Sequence, residues 1–484
     1  MSLVSKTNSI TPDYLPFVAE LQKIVGIDNV VTDPIKLEPY CTDWRKHYRG
    51  QAISVVRPAN TDEISRVVKL CALNGVSIVP QGGNTSLCGA ATPDNSGRQI
   101  VLSLRRLNTI RTIDIENSTI TVEAGCILQN VQEAADRINR LFPLSLASEG
   151  SCTIGGNLAT NAGGTAVLRY GNIRDLCLGL EVVTPNGEIW HGLRALRKDN
   201  TGYDLRNLYI GSEGTLGIIT AAVLKLFTKP IVQWTALVAV NSFQQAVDLL
   251  SLFQERASSL LTGFEVLSKA SLDLLSKHFP QFSCPMHDTP IFTVLVEISD
   301  FESAEHAQAL MENILATAFE EDIAHDAVLA SNLSQAEFFW QMREHISEAQ
   351  TADGGNIKHD ISIPISNMGK FVEETSVLLE QFMPGIRLIN FGHLGDGNLH
   401  FNVAPPLDLR ADQFIRDNSN PINSIVYQQV EKFGGSISAE HGIGQLKRDQ
   451  LLKHRGDVSV SLMQAVKKAL DPFNLMNPEK ILKN

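Results

Sequence analysis

From about residue 50 to residue 230 the chain alternates short Val, Ile and Leu runs with glycine-punctuated turns. Apolar runs of this length, bounded by turn residues, predict strands over 53–56, 77–80, 100–104, 110–114, 119–123, 178–184 and 218–227. Between them, apolar positions three and four apart predict helices over 62–73 and 127–138. The order is that of an α+β fold, without regular βαβ alternation. Past Pro230 the glycines thin out and helical spacing takes over. A strand over 235–240 leads into a helix from Ser242, then a helix over 257–278 and a strand over 291–298. Helices follow over 303–319 and 335–352, then a hairpin over 389–403 and helices over 422–433 and 458–470. The strand-helix-helix-strand order suggests a second α+β domain with its own antiparallel sheet. The expected division is 1–228, 229–430 and a partly helical C-terminal segment over 431–484.

Bulk properties narrow the class. A chain of 484 residues is too long for one core. Its 43% hydrophobic and 19% charged residues are those of an ordinary globular protein. A formal net charge of −12 argues against nucleic acid or an anionic membrane as an obligatory partner, and leaves room for a small anionic substrate. The seven cysteines are scattered and form no C-x-x-C, which fits free thiols in a reducing compartment. The opening MSLVSKTNSITPDYLPF shows no charged segment followed by an apolar one, and no apolar run of about 18 residues occurs. A cytoplasmic location is expected.

The segment Gly392-His393-Leu394-Gly395-Asp396-Gly397-Asn398-Leu399-His400 reads as two strands joined by a turn over 395–398. That register sets Leu394 opposite Leu399 and His393 opposite His400, with Cβ atoms about 4.5–5.5 Å apart. One divalent cation could then bind both imidazoles. Glu440, in Ser438-Ala439-Glu440-His441-Gly442-Ile443-Gly444, would add an oxygen ligand. Two His and one Glu with an open position is the pattern of a catalytic zinc, with Mn²⁺ or Fe²⁺ as alternatives. His441, next to a ligand, is a candidate general base. The plainer alternative is four unrelated polar residues near turns.

Three glycine-rich segments stand out: 80–86 with Gly82-Gly83, 153–164 with Gly155-Gly156 and Gly163-Gly164, and 211–217. Glycine pairs let successive N–H groups converge on an anion such as a pyrophosphate, although each segment alone could be a tight turn. No G-x-G-x-x-G follows an expected strand and no G-x-x-x-x-G-K-[S/T] occurs, which argues against nicotinamide and P-loop folds.

In this order, PQGGNTSL, IGGNLATNAGG, LRYGNIRD, LRKDNTGYDL and IGSEGTLGIIT resemble the FAD-binding domain of the vanillyl-alcohol oxidase/PCMH flavoprotein superfamily. GHLGDGNLHFN, SAEHGIG and DPFNLMNPEKIL resemble its FAD-linked 2-hydroxyacid dehydrogenase branch. The resemblance implies a PCMH-type FAD domain of two α+β subdomains, followed by a cap domain. It implies flavin contacts from Gln81, Gly82, Gly83, Asn84, Thr85 and Ser86, and from Thr153, Gly155, Gly156, Asn157, Asn161, Gly163 and Gly164. Glu213, Gly214, Ile219 and Asn477 complete the implied set. Covalently flavinylated relatives carry His where this chain has Asn84, so non-covalent FAD is expected.

Arg343 and Ser347 fall on one helix face, and Lys358 offers a second cation. R-E-x-x-[S/T] with this lysine resembles the substrate pocket of D-2-hydroxyglutarate dehydrogenases, with Asn402 as a further contact. The implied activity is oxidation of D-2-hydroxyglutarate to 2-oxoglutarate, with a D-lactate dehydrogenase or glycolate oxidase subunit as the alternative. The implied electron acceptor is an electron-transfer flavoprotein, a quinone or a cytochrome, and a homodimer stays open. A zinc hydrolase or a non-catalytic flavin-binding subunit are the rival classes.

Overall fold

A computed structural model describes residues 14–483, so the reading of the first thirteen residues lies outside the described chain. The fold is α+β, in two compact units. Among the described residues the first takes 14–162, Asn172–Thr228 and 440–483; the second takes Gly163–Gly171 and Lys229–Ala439. The second unit thus extends beyond residue 430. The reason is local: Ser436 and Ser362 exchange main-chain hydrogen bonds of 2.8 and 3.0 Å, which fixes the segment after the 411–432 helix to that unit's sheet.

In the first unit, Gln99–Ser103 lies parallel to both Ser54–Val56 and Ser77–Gln81, and Val30–Val31 pairs with the outer side of Ser54–Val56. The run Gln-Ile-Val-Leu-Ser is buried at every position, as a central parallel strand should be. Helix Thr61–Asn74 lies close to its expected bounds. Asn60 caps Glu63 N at 2.9 Å, Asp62 and Glu63 face the helix N-terminus, and Gly75 (φ 62°) ends it. A second sheet is antiparallel, in the order Ile110–Asp114, Thr119–Glu123, Ile218–Lys225, Cys177–Val183, Ile189–Gly192. The C-terminal helix begins at Arg448, earlier than expected, and is interrupted at Gly456 (φ 73°).

The second unit is built on a seven-stranded antiparallel sheet. Its order is Asp326–Leu329, Val232–Val240, Phe292–Asp300, Leu261–Ser268, Arg387–Gly392, Asn398–Ala404, Asp360–Ser362. One face buries Val238, Phe264, Val296 and Phe401 against helices Phe243–Ala257, Ala304–Glu320, Ile365–Phe382 and Ala411–Lys432. The other buries Leu237, Leu267, Leu295 and Phe391 against Lys269–His278 and Leu333–Ala352.

One expected element is corrected. The stretch 257–278 is not a single helix: Leu261–Ser268 is a strand, buried at all eight positions, and only Lys269–His278 is helical. Leu261, Phe264 and Leu267 repeat every three residues, as a helix would. Burial on both faces between two strands overrides that periodicity. All seven cysteines are free thiols. Among the described residues, no helix is long and apolar enough to cross a membrane.

Candidate active site

The glycine-rich loops of the first unit come together. Residues 82 and 83 follow the edge strand Ser77–Gln81 and pack directly on 151–153. A Cβ on Gly82 would lie 2.2 Å from Thr153 Oγ1, and one on Gly83 2.2 Å from Ser151 O. A Cβ on Gly155 would meet Ala124 Cβ at 2.6 Å. These glycines therefore serve close approach of chain to chain as much as exposure of N–H groups. Two of the candidate N–H donors are already engaged: Gly155 N donates to Ala124 O at 2.7 Å and Ile154 N to Cys126 O at 2.9 Å.

The side chains divide similarly. Gln81 is buried and donates to Tyr40 O and Ala91 O, both at 2.9 Å. Asn84 sits in the left-handed region (φ 59°) and donates to Pro39 O and Thr42 O. Thr85 and Ser86, half-buried, complete that loop. Asn157 is buried against Cys152, while Asn161 (φ 52°) closes the Ile154–Thr160 helix and accepts from Arg174 N at 3.2 Å. Gly163 and Gly164 belong to the second unit, and Ile219 lies buried in the antiparallel sheet of the first. Two buried polar atoms, Thr153 Oγ1 and Asn477 Oδ1, have no protein hydrogen-bond partner, as expected of groups that would face a bound polar cofactor. The residues fit the flavin expected from the sequence.

Glu213 takes a different part. Its backbone is left-handed (φ 51°), and its carboxylate accepts Ile443 N at 2.7 Å and Gly444 N at 2.8 Å. Asn477 Nδ2 donates to Glu213 O at 2.7 Å and to Ala90 O at 3.0 Å. Gly214 packs on Pro80. These contacts hold the turn that follows Glu440 and His441. Gly444 is indispensable there, because its φ is 52° and a Cβ would lie 2.2 Å from Cys88 O. Glu440 Oε1 lies 3.7 Å from His441 Nε2, and both side chains remain partly accessible.

In the second unit the expected hairpin register is corrected. Phe391, not His393, pairs with His400. The chain leaves the sheet at Gly392, makes a 3₁₀ turn over Leu394–Asp396 and returns through left-handed Gly397 (φ 85°). The connection is therefore longer than the four residues expected, because Asn398 N bonds His393 O and Asp396 Oδ1 instead of closing a tight hairpin. The two imidazoles still meet. Their centroids are 5.8 Å apart, with ring nitrogens within 4.8 Å of each other.

Sequence reasoning missed Glu265. This fully buried residue of the Leu261–Ser268 strand accepts His393 Nδ1 at 2.5 Å and Arg343 Nε at 2.7 Å. Arg343 Nη2 is also 3.3 Å from His393 Nε2. Burial alone would raise the Glu265 pKa, but the charges and hydrogen bonds of His393 and Arg343 hold it down to about 2. The only sequence signal was an acid inside an apolar run.

Behind His400, Asn398 donates to Asp360 Oδ1 at 3.1 Å, and that oxygen lies 4.0 Å from His400 Nδ1. The ladder pairing Ile357 with Val403 and Asp360 with His400 sets Lys358 opposite Asn402, on the His400 face. Asn402 itself is buried and engaged within the unit, accepting His359 N and donating to Gln350 Oε1. Ser347 lies one turn beyond Arg343 on its helix, exposed. The second unit thus brings together two imidazoles, a guanidinium and two buried carboxylates, with Lys358 in register on the His400 face of the sheet. The imidazole pair, one ring backed by a carboxylate, is a donor set suited to a borderline divalent cation.

Two family models match the chain: "FAD binding domain" over residues 52–192 and "FAD linked oxidases, C-terminal domain" over residues 229–481. The chain is 36% identical to the mitochondrial D-2-hydroxyglutarate dehydrogenase of Arabidopsis thaliana, over 96% of this chain and 81% of that protein. It is 35% identical to a Schizosaccharomyces pombe protein provisionally named a mitochondrial D-lactate dehydrogenase, over 94% of this chain and 86% of that one. Among solved structures, p-cresol methylhydroxylase with substrate bound shares the fold, with TM-score 0.76, 17% identity and 98% of each chain covered.

Proposed function

This chain belongs to the FAD-linked oxidase family, and from that premise we propose that it oxidises D-2-hydroxyglutarate to 2-oxoglutarate. The observation that carries the substrate choice is Arg343, whose guanidinium is held 3.3 Å from His393 and so places a carboxylate anchor beside the imidazole pair. Lys358, on the same sheet face as His400, supplies the second cation that a dicarboxylate would use.

When bound, non-covalent FAD supplies the two-electron acceptor for the C2–H hydride, and a divalent cation, zinc by preference, supplies Lewis-acid polarisation of the substrate oxygens. His393, His400 and Glu440 are the residues assigned to hold that cation. Arg343 and Lys358 bind the two carboxylates, with Ser347 available for a hydroxyl contact. His441 takes the proton of the C2 hydroxyl at a ring nitrogen. Histidine is the side chain suited to that task near neutral pH, and the Gly442–Gly444 turn fixes its backbone. Electrons would leave to an electron-transfer flavoprotein, a quinone or a cytochrome. Seven free thiols suit a reducing compartment, and a cytoplasmic location is part of this reading.

The likeness to the S. pombe protein supports a second reading, D-lactate oxidation, in which one carboxylate uses both anchors. Anaerobic addition of D-2-hydroxyglutarate to the purified yellow protein should bleach the flavin absorbance rapidly. Bleaching by D-lactate alone would reverse the substrate choice, and bleaching unaffected by a chelator that strips all divalent metal would remove the cation.

A further inference from the structure

We infer that Glu265 is a positioning residue that sets both the metal-facing imidazole of His393 and the substrate-facing guanidinium of Arg343. The inference rests on the reading above, that His393 ligates a cation and Arg343 grips a carboxylate.

Glu265 lies on a central strand of the seven-stranded sheet with no exposure to solvent. Its two oxygens are divided between the two partners: Oε1 accepts from His393 Nδ1 at 2.5 Å and Oε2 from Arg343 Nε at 2.7 Å. A donor on Nδ1 selects the tautomer whose lone pair is on Nε2, the nitrogen a cation would use. Holding Arg343 by Nε leaves Nη1 for another acceptor, while Nη2, 3.3 Å from His393 Nε2, would turn to a substrate oxygen once a cation takes that lone pair. Phe391 supports the guanidinium from a ring centroid 5.2 Å away. One carboxylate therefore aims a ligand and an anchor together, and cation affinity and carboxylate affinity should fall together when it is altered.

Glu265→Gln separates this role from mere core filling. An amide has one acceptor and one donor group, so it cannot accept from both partners. With its NH₂ toward His393, the ring proton must move to Nε2 and the ligand atom is lost; with its NH₂ toward Arg343, two donors collide. Full-length flavin-loaded protein would be titrated with Zn²⁺ against a competing chelator, and with 2-oxoglutarate by its perturbation of the flavin spectrum. E265Q should keep its flavin, bind Zn²⁺ about 10–100-fold more weakly and lose 2-oxoglutarate affinity. Val266→Ala, on the opposite face of the same strand, should lose stability without either effect.

Zn²⁺ and 2-oxoglutarate affinities equal to wild type in E265Q would overturn the inference alone. Wild-type protein that takes up no divalent cation would instead remove the metal reading, and the inference with it. Should E265Q fail to hold flavin, Glu265→Asp keeps the charge but is too short to reach both partners. It should show the same paired losses in smaller degree, and wild-type affinities in it would again overturn the inference.

Discussion

The carboxylate of Glu213 accepts the main-chain N–H of Ile443 at 2.7 Å, across 230 residues of sequence. With the second bond, to Gly444 N, it clamps the turn that carries Glu440 and His441. Glu213→Gln keeps the shape but offers a single acceptor, leaving one buried N–H facing an NH₂ group. An unsatisfied buried donor costs about 1–3 kcal/mol. If that cost falls on the His441 geometry, kcat should drop about tenfold or more while flavin content holds. Steady-state kinetics beside the flavin-to-protein absorbance ratio would check this.

The same residue gives a pH signature. Burial lifts the Glu213 pKa from 4.5 to about 7, against the opposing pull of the two N–H donors, Lys447 and Lys480. The unfolded chain releases this proton near 4.5 and the folded chain near 7, so between those values the folded state binds more protons. Stability therefore falls as pH rises through that window. The contribution is on the order of 3 kcal/mol across it. Chemical denaturation from pH 4.5 to 7 should show this slope in wild type and its loss in E213Q.

Two glycines of the loops proposed to hold the flavin should separate by mechanism. A Cβ on Gly83 would sit 2.2 Å from Ser151 O, a backbone atom that cannot swing aside. Gly83→Ala should destabilise the apoprotein by about 1–3 kcal/mol as well as shed flavin. Gly156, whose added Cβ would meet nothing closer than Thr153 Oγ1 at 3.4 Å, should tolerate alanine without loss of apoprotein stability. If Gly156 lines the flavin pyrophosphate, Gly156→Ala still weakens flavin retention. Thermal unfolding of the stripped proteins and flavin titration would separate the two effects.

Arg343 should not be replaceable by lysine. An ammonium cannot both bond Glu265 and present a planar fork to a carboxylate. Arg343→Lys should raise KM for D-2-hydroxyglutarate about 10–100-fold, in keeping with the loss of a charge-assisted pair worth about 1.5–3 kcal/mol, and change flavin content little. An unchanged KM would mean that the guanidinium serves Glu265 and His393 only.

Much of this arrangement was legible in the sequence, though not always by the right route. His393 and His400 meet as expected, yet through a five-residue connection (393–397) and not as a directly opposed pair, because Asn398 returns hydrogen bonds to the turn itself. The three glycine segments imply a flavin cradle, and Gly82, Gly83 and Gly155 answer in addition to loop-on-loop packing that no local pattern reports. Glu265 was hidden because its strand, buried on both faces, mimics helical spacing. The family motifs imply flavin contacts for Glu213 and Asn477, whereas what the structure shows for them is contacts hundreds of residues away in sequence that hold the turn after His441.

Phe401 tests whether the imidazole pair depends on the helical layer behind it. Adjacent to His400 but pointing to the opposite sheet face, it is fully buried and meets Phe371 edge-on at a centroid distance of 5.4 Å. Phe401→Ala leaves a cavity between the sheet and the Ile365–Phe382 helix, at a cost of about 3–5 kcal/mol. Phe391 and Asp360 hold His400 from the two neighbouring strands, so the ring should keep its place while the unit loses stability. Denaturant midpoints should fall with Zn²⁺ affinity nearly unchanged at low temperature. A parallel loss of Zn²⁺ affinity would show that packing on the far face, and not the strand ladder, sets the position of His400.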